Sequence, residues 1–205
     1  MIANQVSLLE HRVTTGRFDP TFTLGRSTMA ELVRLATHAP SAFHLQNWCF
    51  KAVHSSERKV MLTKLAHGQR QVSDAAVTYI VCGELNAHTT LRERLQPSVE
   101  ASIITPEVQN QWVEMAIASH RDNPRAQHVE AVRSASLAAM SVMFAAREMG
   151  LDCGVLGGFD PTGVHAAFGL KPDEIPVMLV TVGRAAPGNW PQKIRRPIDD
   201  VLSWK

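Results

Sequence analysis

Met29, Leu32, Val33 and Ala36 recur at i, i+3, i+4 and i+7, which predicts a helix with one buried face. Thr28 followed by Glu31 reads as a capping box that opens this helix, and Pro40 closes it, because the residue before a proline avoids the α region. "WCFKAVH" alternates in part and predicts a strand. Residues 57–66 predict a second helix, with Val60, Met61, Lys64 and Leu65 clustered. "AAVTYIVCG" is continuously apolar and β-rich, as a strand covered on both faces would be. Residues 86–127 have no clean period, although fragments such as "QNQWVEMAIASH" are helical in pattern.

The next element is unmistakable. Residues 128–149 are rich in Ala, Met, Leu and Val on nearly every side, and Gly150 stands where a C′ glycine belongs. Such a helix lies in a core or a subunit interface, so it predicts a dimer. "GLDCGVLGGFD" reads as a glycine-rich turn, "PTGVHAAFGL" as a short helix and "IPVMLVTVG" as the last strand, before the basic tail "NWPQKIRRPIDDVLSWK". No repeat, low-complexity run or linker interrupts this order, and the pattern predicts one α+β unit.

Composition narrows the classes. Apolar residues make up 45% and charged residues 20% of the 205, a globular profile. The net charge of +2 is too mild to point to nucleic acid. The apolar run of residues 75–82 is too short to cross a bilayer. Residues 1–18 carry Glu10 and His11 and lack an apolar h-region, so a cytoplasmic chain without a signal peptide is expected. Cys49, Cys82 and Cys153 lie far apart without a C-x-x-C pair and read as reduced, mostly buried thiols.

The familiar catalytic constellations are absent. The chain has no G-x-S-x-G, no P-loop and no G-x-G-x-x-G. His128 and Glu130 form H-x-E without a P-C-x-x-C, and the nine histidines include no H-E-x-x-H, so no metal site and no catalytic side chain is nominated. What remains is polar and basic residues at the edges of elements: "HRVTTGRF", "PSAFHLQNW", "GQRQV", "LGGFD" and "QKIRRP". A chain without its own nucleophile or metal is still an enzyme if a cofactor carries the reaction.

In order and rough spacing, these five motifs resemble those of the flavin-dependent nitroreductase family, with the likeness weakest over residues 86–125. The likeness is nearest to its short NAD(P)H nitroreductase and malonic semialdehyde reductase-like members. It implies an α+β nitroreductase-like fold, with a central mostly antiparallel sheet flanked by helices and an intertwined homodimer. Residues 1–205 would form a single FMN-binding domain, with FMN at the subunit interface and NADH or NADPH as electron donor.

By this resemblance Arg12, Val13 and Thr14 begin the phosphate site, with Phe18 as the following aromatic; Gly16 replaces a common basic residue, and Arg17 comes one place late. Pro40, Ser41, Ala42 and His44 form a wall that reaches the flavin from the partner, with His44 in place of an Asn and Asn47 in place of a Pro. Gln69 and Gln71 face the pyrimidine edge, Gln71 in place of a Lys, while Leu156, Gly157 and Gly158 pass over the ring. Lys193 and Arg195 complete the phosphate clamp. The function implied is ping-pong hydride transfer from NAD(P)H to a nitroaromatic, quinone or activated carbonyl or enoyl acceptor. The four departures, at Gly16, His44, Asn47 and Gln71, leave a flavin-binding dimer without efficient turnover as the alternative, and a helical dimeric scaffold without cofactor as the third reading. Neither nucleic acid nor membrane is an expected partner.

Overall fold

The computed structural model describes residues 8–205. Its helices are α1 (Leu8–His11), α2 (Arg26–Ala36), α3 (Ser56–Leu65), α4 (Arg70–Asp74), α5 (Leu91–Glu100), α6 (Pro106–His120), α7 (Pro124–Glu148) and α8 (Pro161–Ala167). Its strands are β1 (Trp48–Val53), β2 (Val77–Glu84), β3 (Asp152–Leu156) and β4 (Glu174–Gly183). They form one antiparallel sheet in the order β1-β2-β4-β3, so the α+β, antiparallel reading holds.

The sheet is covered on both sides because its central strands are apolar on both sides. Val77, Tyr79 and Val81 of β2 pack with Val180 and Val182 against α2 and α7, while Ile80, Cys82 and Leu179 face Leu62, Val72 and Val164 of α3, α4 and α8. The alanines of α7 let it lie close on the sheet. A Cβ on Gly83 would stand 2.6 Å from the Ala131 carbonyl oxygen, so only glycine fits there. The Tyr79 hydroxyl, buried in this layer, donates to the Met29 carbonyl at 2.8 Å. Pro176 lies within β4 at an irregularity, where Val81 pairs with Met178 but Cys82 pairs with Pro176; the bulge accommodates a residue with no N–H for the ladder.

Helices α6, α7 and α8 share one start signal. Thr105, Asn123 and Asp160 each accept an amide of the first turn, and each is followed by a proline.

Three expectations are corrected. The first helix starts at Arg26 behind Gly25, so Thr28 is inside it and Glu31 pairs with Arg34 at 2.6 Å instead of closing a capping box. The glycine-rich "turn" contains strand β3, whose Gly154 is required because a Cβ there would meet the Thr15 carbonyl oxygen at 2.4 Å. The long helix begins four residues earlier than its apolar pattern, at Pro124. Residues 86–127 supply α5 and α6, which close a third, smaller core around Leu45, Leu91, Leu95 and Val113.

Candidate functional site

The N-terminal segment runs along the sheet's β3 end. The Thr15 amide donates to the Cys153 carbonyl at 2.9 Å, and Phe18 bridges Ala185 beyond β4. Asn189 fastens the segment to the start of the tail. Its Oδ1 accepts the amides of Gly16 and Arg17 at 2.8 and 2.9 Å, and its Nδ2 donates to the carbonyls of Arg17 and Ala186, both at 2.8 Å. The result is a cavity of about 260 Å³ lined by Thr14, Gly16, Arg17, Gln71, Gly188, Asn189, Trp190 and Lys193.

Thr14, Gln71 and Lys193 thus converge from three sequence regions on one concave surface. Arg12 is beside it, its Nη1 3.5 Å from the Thr14 hydroxyl. Lys193 is held with its ammonium 4.8 Å from the centre of the Trp190 ring. Gln69, the N-cap of α4, donates to the Gly158 carbonyl at 2.8 Å and ties "GQRQV" to "LGGFD". Gln71 donates to the Gln69 Oε1 at 3.4 Å, while its own Oε1 is buried with no partner among the described residues. An acceptor buried in this way costs about 1–3 kcal/mol.

Other expected residues are placed elsewhere. Pro40, Ser41 and His44 line a second cavity, of about 580 Å³, with Phe43, Leu95, Ser98, Ile103, Ile104 and Trp112. Ala42 packs on the third core, while Leu156 is buried in the core on the α3 side. Gly157 and Gly158 are exposed, and a Cβ on Gly157 would meet nothing within 4 Å. Arg195 is exposed and donates to the Lys193 carbonyl at 3.2 Å. Val13 is half-buried outside both cavities. Within one chain, then, the expected wall and the expected phosphate site are two separate hollows. Sequence reasoning missed Asn189, although "PGNW" is a turn signature whose Asn is suited to bonding backbone.

One further polar cluster lies on the sheet's second face. Cys49, Glu84 and Glu174 bring donor atoms within 4.8 Å of one another. Both carboxylates already hold cations: Lys51 is 2.9 Å from Glu174, and Arg94 is 2.6 Å from Glu84. Burial would raise the Glu174 carboxyl, but the Lys171 amide and the Lys51 ammonium outweigh it and hold it below its ordinary range. The Cys49 thiol is pushed well up by Cys82, opposite it in the sheet, then by burial and by Glu174. It is therefore not a ready thiolate.

The description "Nitroreductase family" matches residues 9–184. YodC of Bacillus subtilis (strain 168), which its name places among the NAD(P)H nitroreductases, is 30% identical over 204 residues, covering 99% of this chain and 100% of YodC. The CLA biosynthesis enone reductase of Lactiplantibacillus plantarum is 27% identical over 180 residues, 86% of this chain and 83% of that protein. Among solved structures, a nitroreductase-type protein of Exiguobacterium sibiricum, crystallised in complex with FMN, aligns with a TM-score of 0.88 at 29% identity over 97% of this chain and 95% of that one. With a family match across most of its length, on a sheet and a motif order that agree with it, the chain belongs to the nitroreductase family.

Proposed function

We propose that the protein is an FMN-dependent NAD(P)H oxidoreductase, a homodimer in which each cavity at the β3 end is completed by the partner. FMN would supply two-electron hydride chemistry, taken from NADH or NADPH and passed on in a second half-reaction to a nitroaromatic, quinone or activated carbonyl or enoyl acceptor. The observation that carries this reading is the cavity where Thr14, Gln71 and Lys193 meet with Arg17, the Gln71 Oε1 being buried in its wall against Gly154 with no partner among the described residues. A turn of the Gln71 side-chain amide would present its donor and its acceptor to the edge of a flat heterocycle. Lys193, Arg17 and neighbouring Arg12 supply charge for a phosphate. The open face of Gly157 leaves room above the Gln69–Gly158 contact. No side chain is assigned as acid or base; the residues bind, orient and exclude water.

The tail supports the dimer. Ile194 is 100% and Trp204 87% exposed, so a single chain leaves this apolar arm uncovered. In a dimer, the segment carrying Pro40, Ser41, Ala42 and His44 of one protomer would face the other's cavity and bring the two hollows into one site. A cytoplasmic location, one FMN-binding domain over residues 1–205 and the absence of nucleic-acid or membrane partners belong to the same reading. Kinship with an enone reductase favours an enoyl acceptor among those named.

An anaerobic titration tests it. Purified protein should be yellow, lose its colour with one equivalent of NADH or NADPH per site, and regain it with a quinone. Protein that binds no FMN, or binds it and resists bleaching by both nucleotides, defeats the reading. Sedimentation at micromolar concentration should give a dimer; a monomer that retains FMN would remove the shared site.

A further inference from the structure

The segment between α2 and β1 is strained. Phe43, His44 and Gln46 have φ of 51°, 60° and 45°, three non-glycine residues of four in the left-handed region. Each costs about 1–2 kcal/mol, so the segment keeps this form only if its surroundings hold it. Part of the hold is local: the Gln46 amide donates to the Ser41 Oγ at 2.9 Å, and the Leu45 amide to the Ala42 carbonyl at 2.8 Å. The rest comes from α5. Arg94 Nη1 donates to the carbonyls of Leu45 at 2.5 Å and Gln46 at 3.0 Å, while its Nη2 donates to Glu84 Oε2 at 2.6 Å. Glu84 ends the central strand β2, and its amide donates to the Asn47 carbonyl at 3.0 Å. One guanidinium, 25% exposed, therefore joins α5, in the excursion that residues 86–127 form between β2 and α7, to the strained carbonyls and the rigid sheet. Only a planar fork with several fixed donors can do this; an ammonium has no second nitrogen to divide between carbonyls and carboxylate.

We propose that Arg94 is a positioning residue that holds residues 41–46 in their strained form and thereby shapes the apolar cavity against which an electron acceptor is held. The cavity stands between the two parts that Arg94 joins: Phe43 and His44 on one wall, Leu95, Ile104 and Trp112 on the other. Strained backbone at the mouth of a cavity has a purpose if it aims side chains that a relaxed loop would not aim. The positioning role stands on the geometry alone, whereas the part concerning the acceptor rests on the oxidoreductase reading above.

Hydrogen exchange tests the clamp in the dimeric holoprotein and, if no FMN binds, in the protein as purified. In Arg94→Ala, amides of residues 42–47 should exchange about tenfold or more faster while β2 and β4 keep their protection. Arg94→Lys should fall between wild type and Arg94→Ala. Since Arg94→Ala leaves Glu84 without its cation, the double variant Arg94→Ala/Glu84→Ala supplies a folded control, in which the loop should still exchange fast. Wild-type exchange in the double variant overturns the clamp. With 1,4-benzoquinone as acceptor, KM should rise about five- to tenfold in Arg94→Ala, a loss of uniform binding, with kcat within about twofold. Fast exchange with an unchanged KM overturns the link to the acceptor and leaves the clamp standing. A wild type without flavin or turnover would remove the oxidoreductase reading, and the exchange comparison would still decide the role of Arg94.

Discussion

The two hollows are built by opposite means. The one at the β3 end is polar, and relaxed backbone closes it: Asn189 satisfies two amides and two carbonyls at ordinary distances. The other is walled by Phe43, Ile103, Ile104 and Trp112 and by a segment with three residues at positive φ. On the proposed function, a phosphate-bearing cofactor that stays bound needs charged donors, and the first hollow has Arg17 and Lys193 in its lining. A site that meets a succession of flat, apolar molecules needs shape, and in the proposal above the second gets its shape from side chains on a strained segment that Arg94 holds. In this reading the cofactor site is permanent, and the acceptor site is adjustable through α5 and α6.

The largest expected effect separates the two. Asn189→Ala removes four hydrogen bonds that fix Gly16 and Arg17 against the tail. We expect it to weaken FMN binding by about 2 kcal/mol, roughly 30-fold in Kd, with the quinone KM unchanged at saturating FMN. A rise in KM without loss of FMN would reverse the assignment of the hollows. Trp112→Ala is the counterpart. It should raise the quinone KM about tenfold, near 1.4 kcal/mol, and leave FMN retention through gel filtration as in wild type.

The difference also decides what could be read from sequence. The polar hollow is framed by short motifs at the ends of strongly patterned elements, so Thr14, Gln71 and Lys193 stand out in the sequence, and the fold brings them to one concave surface. The strands of residues 48–53, 77–84 and 174–183 were equally legible, because each is an alternating or continuous apolar run. Strand β3 was not, because a glycine demanded by the passing Thr15 carbonyl looks like a turn. The excursion was hidden for other reasons. Helix α5 carries Pro97, which reads as a break, and α6 buries the polar Gln109, whose amide donates to the Arg92 carbonyl and Gln96. The sequence around Arg94 carries no motif. Nothing local marks a side chain whose partners are carbonyls almost fifty residues away.

The tail gives a smaller contrast. Lys193 lines the polar hollow, while Arg195 reaches only the Lys193 carbonyl. Lys193→Ala should weaken FMN about fivefold or more and Arg195→Ala less than about twofold, with riboflavin, which has no phosphate, indifferent to both. Equal losses from the two variants would show that the tail takes another path in the assembled dimer.

The smallest effect is a pH dependence confined to the excursion. His88 is 7% exposed, and its ring lies 5.9 Å from that of His120 in a stacked arrangement. Its Nδ1 is buried without a partner among the described residues, while the His120 Nδ1 faces the Ala116 carbonyl and the Ser119 hydroxyl. Burial first, then His120 and Arg121, lower the pKa of His88 below its ordinary value of 6.5. The folded excursion therefore keeps His88 neutral where the unfolded chain would bind a proton. The stability it contributes is present above about pH 6.5 and is lost as pH falls through the lowered folded value. Amides of α5 and α6, corrected for intrinsic rates, should lose protection as pH falls below about 6.5, while those of β2 and β4 do not. His88→Leu should flatten that dependence, with a change in Tm of at most about 3 °C. If the sheet loses protection in step with the excursion, or if His88→Leu leaves the slope intact, the excursion is no more adjustable than the sheet, and the contrast between the two hollows reduces to their polarity.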